Sequence, residues 1–287
     1  MKKAGLFSGL MLICTMAFAQ FKVPDMNSIK SFSKTKTMVV LTGDSMPNFD
    51  KAIKKYTEKF WKATPFDFIK QSELEPLIHN AKYSFLLLSE APFKVGDKTV
   101  SMLNLSLGLA NRNRTDDDLI EFVSIPIAYQ SNDEAVSDQF DWTKLAAFLQ
   151  FFQHYLDLLL EFPDVSEMDV YEHYNSNIED LPAMELWVRP EDCSPDINSF
   201  DKFKRVYSND MKMVTTEELS EIIEKQYLNV AFVHVVSPHV KKKNGNPCLL
   251  YIFSTDGNLM YMAEHTIDDK NPAGLLIKDL KEIPRKE

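Results

Sequence analysis

Apolar positions along this chain fall into short blocks that switch between a two-residue and a 3.6-residue period, the pattern of strands exchanged with helices. Thr37 to Thr42 is an apolar run ended by the turn residues Gly43, Asp44, Ser45, Met46 and Pro47. Asn48 is placed to cap a helix whose Phe49, Ile53, Tyr56, Phe60 and Trp61 share a broad face. Pro65 opens an extended piece through Ile69, Ser72 is placed to cap a helix reaching about His79, and Tyr83 to Leu88 reads as a strand. Val100 to Leu109 and Leu119 to Tyr129 follow as strands, joined by a polar hairpin link from Asn111 to Asp118. A helix over Trp142 to Phe162, capped by Asp141, is apolar on most of its circumference. Its Lys144, Gln150, Gln153, His154 and Asp157 would each be costly in hydrocarbon, so burial against both halves or against a partner fits better than a membrane span.

The second half follows the first at a shift of 145 residues, which lays Glu73 and Leu74 on Glu218 and Leu219 and the strand around Phe85 to Leu88 on Val230 to Val233. Met211 to Val214 is then a strand, Thr215 or Thr216 a helix cap, and Val230 to Val236 the next strand. Leu249 to Ser254 and Leu259 to His265 pair through the hairpin turn at Asp256 and Gly257. Glu185 to Val188 and a short helix near Phe200 to Tyr207 correspond loosely to Thr37 to Thr42 and its helix. Identities are few, so duplication and generic α/β patterning both remain open.

The first nineteen residues stand apart. Lys2 and Lys3 lead an apolar run from Ala4 to Phe18, and Ala17-Phe18-Ala19 is an A-x-A cleavage pattern, so residues 1–19 read as an export signal cut before Gln20. The apolar core is too short for a comfortable bilayer span. Ile13 before Cys14 argues against lipid attachment, since that site needs a small residue there. Residues 20–34 are polar and without apolar period, and read as a leader.

Removing the signal takes away two lysines and no acids, moving the formal net charge from −10 to −12. Such a chain is repelled by nucleic acid and anionic membrane surfaces, and the run Lys241 to Lys243 reads as a solvated turn. Cys193 and Cys248 are the cysteines left; export would permit one bridge, and two buried thiols are the alternative.

The segment Met38 to Ser45, MVVLTGDS, resembles the first block of GDSL-type, or SGNH, hydrolases. That resemblance implies Ser45 as a nucleophile whose own backbone N–H helps to hold an oxyanion. A serine needs a histidine base, yet no aspartate here is followed three residues later by histidine, the G-x-N-D block is missing, and Met46 replaces the usual leucine. His234 lies near the end of one strand, His239 just after it, and Glu264 and His265 close the last hairpin, so a sheet could gather three nitrogens and a carboxylate for zinc, with His234 and His265 the candidate ligand-binding residues. Their spacing is unspecific, and His234 shares a strand face with Val230 and Phe232, as a hydrogen-bonded core histidine would. Asp116, Asp117 and Asp118 lack the spacing of a calcium loop and read as a hairpin tip. Asn104 and Asn113 fit glycosylation patterns, and Trp61, Trp142 and Trp187 fit core positions better than a stacking groove. No phosphate-binding glycine loop is present, and no metal or cofactor is expected.

The expected fold is α+β: halves 35–163 and 164–287, each β-α-β-β-β and open to a reading as duplicates, joined by the long apolar helix. The expected function is an exported, soluble, non-catalytic binding or assembly protein of a Gram-negative bacterium, acting in the periplasm or after secretion on a protein or small-molecule ligand. An exported serine hydrolase acting through Ser45 is one alternative, and a structural subunit of an envelope complex, contacting its partner through helix 142–162, is another.

Overall fold

The computed structural model of the chain describes residues 20–92, 99–108, 119–130, 142–237 and 245–286. Residues 1–19, Asn113, Asp116 to Asp118, His239 and Lys241 to Lys243 lie outside the described residues. The fold is α+β, with seven α-helices and two mixed sheets among the described residues.

The first sheet is built from β1 (Gln20–Phe21), β2 (Lys36–Leu41), β3 (Phe66–Lys70), β4 (Tyr83–Pro92), β5 (Thr99–Gly108) and β6 (Leu119–Gln130), in the order β1-β6-β5-β4-β2-β3. Strand β2 runs parallel to β3 and β4, while β4, β5 and β6 form an antiparallel meander. Alternation along β2 divides its side chains: Val39 enters the large core shared with the second sheet, whereas Met38 and Val40 pack on the other face with Ile69 and Phe85. Helix α1 (Met26–Phe32) precedes β2, and α2 (Pro47–Phe60) joins β2 to β3.

Two stretches differ from the sequence expectation. Residues 20–34 are not a leader: Phe21 and Phe32 are buried, β1 pairs with Ser124 and Val123, and the Asp25 carboxylate accepts from the amides of Asn27 and Ser28 to cap α1. A two-residue strand and a seven-residue helix are too short for periodicity to reveal. Residues 71–79 form a 3₁₀ turn at Gln71–Glu73 and further turns instead of an α-helix, because Pro76 lacks the N–H that a helix interior needs.

The second sheet contains β7 (Glu185–Val188), β8 (Met211–Met213), β9 (Val230–Val236), β10 (Pro247–Ser254) and β11 (Leu259–Thr266), in the order β11-β10-β9-β7-β8. Leaving out β1, order and directions match the first sheet: β7 is parallel to β8 and β9, and β9, β10 and β11 are antiparallel. Helix α5 (Phe200–Lys204) follows β7, α6 (Thr216–Lys225) follows β8, and α7 (Ile277–Glu282) follows β11. Thr215 and Glu218 form a reciprocal capping box at the start of α6.

Between the sheets lies α3 (Leu145–Glu161), preceded by a 3₁₀ turn Trp142–Lys144, and α4 (Glu167–Ser176) follows it. Phe148 meets His234 and Phe253 of the second sheet at ring separations of 5.0 and 5.5 Å, and Phe151 meets both Phe253 and Phe21. Eight Leu and Phe side chains of α3 are buried, and at roughly 1.5–3 kcal/mol each they outweigh the exposed seam ion pair Lys55–Glu224, a type that contributes at most about 1 kcal/mol. Apolar packing on α3 therefore joins the halves. Gln153 adds polar specificity, accepting from the Lys62 and Ala63 amides and donating to the Phe60 carbonyl.

Candidate functional site

Ser45 closes the 3₁₀ turn Gly43–Ser45 at the end of β2 and is exposed. Its hydroxyl donates to the Thr42 carbonyl at 2.9 Å, and no histidine bonds to it among the described residues. Asp50 organises this turn. Its carboxylate accepts from the Thr42 amide at 2.8 Å, the Thr42 hydroxyl at 3.0 Å and the Gly43 amide at 2.8 Å, and Gly43 takes φ +70°. Ser45 thus has an acceptor for its proton in a main-chain carbonyl, which cannot act as a base toward it.

His234 is fully buried in β9, with Nε2 2.8 Å from the Pro126 carbonyl of β6, a polar link between the sheets. Desolvation holds its pKa well below the ordinary 6.5, the Lys144 and Arg189 charges push the same way, and the Pro126 bond opposes them. Arg189 directly follows β7, which pairs in parallel with β9 as far as Trp187 and Phe232, and its charge acts on His234. Arg189 is held by Asp192 through two bonds of 2.7 and 2.8 Å and donates to Thr216 Oγ1 at 3.1 Å. Lys144, 1% exposed, completes a buried polar group near the start of α3. Of this group the sequence offered His234 as a candidate ligand and Lys144 only as a residue too polar for a membrane span, and Arg189, Asp192 and Thr216 gave no signal of belonging to it.

His265 lies on β11 with Nε2 2.9 Å from the Pro272 carbonyl, and burial lowers its pKa. His234 pairs with Tyr251, and Tyr251 pairs with Met262, so two strand spacings, roughly 10 Å, separate His234 from β11, and His265 is three residues farther along it. The sheet does not bring the two histidines together. Among the described residues no group of three or more His, Cys, Asp or Glu side chains is placed to hold a metal ion.

The other candidates serve the core. Trp61, Trp142 and Trp187 are buried, and Trp187 donates to Glu185 at 2.6 Å with the Lys212 ammonium 4.2 Å above its ring. Asn104 is 8% exposed, so its glycosylation pattern is not presented to solvent. Cys193 and Cys248 are buried free thiols. The Gly274 amide donates to Cys248 Sγ at 3.3 Å, and a Cβ at Gly274 would lie 2.8 Å from the Cys193 carbonyl carbon, so this backbone packs against both residues. Burial raises the Cys248 thiol to about 12 and the Cys193 thiol further. A buried chain of hydroxyls links Thr35, Ser84, Thr37 and Thr64 and ends on the Trp61 indole N–H, fixing β2 against β4.

No family model, curated protein or solved structure matches the chain. Its functional reading therefore rests on the surface. An open depression of about 660 Å³ lies along α6, lined by Thr216, Glu217, Ser220, Glu221, Glu224 and Lys225. Charge is unevenly spread: residues 145–188 hold nine acids and no Lys or Arg, whereas residues 51–62 hold five lysines and one acid. Several large apolar side chains stand in solvent beside these stretches, among them Leu228 at 86% exposure and Met168 at 64%. No helix among the described residues is long and apolar enough to cross a membrane.

Proposed function

We propose that this chain is an exported, non-catalytic binding or assembly protein, released by cleavage near Ala19 and built from two copies of one α+β unit. Strand order supports the duplication, since the 145-residue shift carries β4 onto β9 and the 71–79 crossover onto α6. Face usage supports it independently. In each half the first crossover and the closing helix, α2 with α3 and α5 with α7, lie on one face of the sheet, and the second crossover lies on the other. The second half then packs its second-crossover face onto α3, the closing helix of the first.

One observation carries the binding role. Leu228 projects from a turn in which Gln226 and Asn229 both hold positive φ, 52° and 58°, and in which the Tyr227 and Asn229 carbonyls accept from Thr255 Oγ1 and the Glu185 amide. Gln226 ends α6 in the left-handed cap conformation and Asn229, a residue type that adopts it readily, follows, so the turn is fixed on both sides of Leu228 and presents an apolar side chain to solvent. That arrangement suits recognition by contact.

A serine-reactive fluorophosphonate, applied to the chain and to Ser45→Ala, tests the non-catalytic part. Absence of labelling in both agrees with it, and labelling lost in Ser45→Ala overturns it in favour of a hydrolase. Intact-mass measurement of the protein recovered from the cell envelope or medium tests export: a chain starting at Gln20 agrees, and one retaining residues 1–19 contradicts it.

A further inference from the structure

We infer that Gln20 is a modification site: once cleavage makes it the first residue, it closes on itself to a pyroglutamate, a neutral lactam that blocks the amino end of the chain. This rests on the export reading and goes beyond it by naming what becomes of the new terminus. An N-terminal glutamine carries both reactants. Its α-amine attacks its own carboxamide carbon Cδ, an N–Cδ bond closes a five-membered ring, the Cδ–Nε2 bond breaks, and Nε2 leaves as ammonia with one proton from the amine. No oxidant, reductant or co-reactant is needed. Holding both groups in one residue makes the step intramolecular. An α-amino group with a pKa of about 8 is neutral, and so nucleophilic, in roughly a tenth of the molecules at pH 7.

The fold shows why a blocked terminus matters in this chain. First residues are slack in most domains unless something ties them down. Here pairing begins at once, with Gln20 opposite Ser124 and Phe21 opposite Val123 of β6. The Lys22 amide donates to the Phe122 carbonyl at 3.1 Å, and the Tyr155 hydroxyl donates to the Lys22 carbonyl at 2.8 Å. Phe21, the second residue after the cleavage point, is a core residue, 7% exposed. Its ring stacks on Tyr174 at 5.3 Å and lies 5.5 Å from Tyr155 and 6.2 Å from Phe151, tying the edge of the first sheet to α3 and α4.

An aminopeptidase, which grips a free α-amine, has only Gln20 to remove before it reaches Phe21. Loss of two residues deletes β1 and opens this aromatic cluster. Strand β1 is also the terminal element, and termini open locally at the least cost in free energy. The lactam leaves such an enzyme no amine to bind, and it removes a positive charge one residue from the buried ring.

Intact-mass spectrometry of the chain recovered from the envelope or medium of the cells that produce it, combined with an amine-reactive label read on the N-terminal peptide, tests the inference. The expected result is a start at Gln20, a mass lower by one ammonia, and residue 20 unlabelled. A Gln20→Ala variant expressed in the same cells should keep its full mass and take the label. Incubated with an aminopeptidase in mild urea, the wild-type chain should retain Phe21 and the variant should lose it. A chain that starts at Gln20 with full mass and a labelled amine overturns the inference while leaving export standing. A chain that retains residues 1–19, or is cut elsewhere, overturns export and the inference with it. Equal loss of Phe21 from both chains overturns the protective role of the lactam.

Discussion

Replacing Gly257 with alanine attacks the packing of the second half on α3 at its closest point. Gly257 sits in the β10–β11 turn with φ +86°, and a Cβ there would lie 2.5 Å from the Ala147 carbonyl oxygen, 2.7 Å from Gln150 Cβ and 2.8 Å from the Phe151 nitrogen. Two of those three atoms are helix backbone, which cannot swing aside as a flexible side chain can. The left-handed backbone costs an L-residue about 1–2 kcal/mol. Overpacking against the helix adds about 1–3 kcal/mol, so the total loss is about 2–5 kcal/mol. Gly245 provides the control, because it has the same φ of +86° and nothing within 4 Å of its would-be Cβ. Gly245→Ala should therefore lose only the backbone part. Urea unfolding of the two variants, analysed for midpoint and slope, separates the contributions. A Gly257→Ala variant that loses no more stability than Gly245→Ala would refute the close packing of this turn on α3.

Acid should destabilise the protein through its buried histidines. His234 and His265 both have folded pKa values lowered below 6.5, chiefly by burial. The unfolded chain then takes up protons that the folded chain refuses, so stability is full above the unfolded value and falls as pH drops through it. The urea midpoint should decline between about pH 7.5 and 5.5, with a shallower decline in His234→Gln; an equal slope in that variant contradicts the assignment. Thiol reagents should leave Cys193 and Cys248 unmodified in the folded chain and react with both after unfolding, because burial disfavours the thiolate in each. Rapid modification of either in native buffer contradicts their placement.

Long or well-bounded elements could be read from the residues. Val230–Val236 has the bounds its apolar run gives, and Thr215 caps α6 with Glu218 as the S/T-x-x-E pattern implies. The Asp256-Gly257 pair does turn the β10–β11 hairpin. Short elements escaped, because α1, with seven residues, and α7, with six, owe their helicity to tertiary packing of Phe32 and Leu280 rather than to a visible period. Helix α2 begins at Pro47 rather than at a capping Asn48, since Pro fits the first helical position and Asp50 serves the preceding turn. The polar group around Arg189 was illegible for another reason: its members come from the residues after β7, from β9, from α6 and from the turn before α3, and only the fold brings them together. Ser45 shows the opposite case, in which a short motif is plain in sequence while its surroundings are those of a turn held by Asp50.

Helix α3 is one core element for both sheets, and that sharing makes a single folding unit of the two halves. Differential scanning calorimetry of the chain measures it directly. One endotherm with calorimetric and van't Hoff enthalpies in agreement is the result expected for a shared core. Two separable endotherms, or a calorimetric enthalpy about twice the van't Hoff value, would mean that the halves unfold independently and that α3 does not join them.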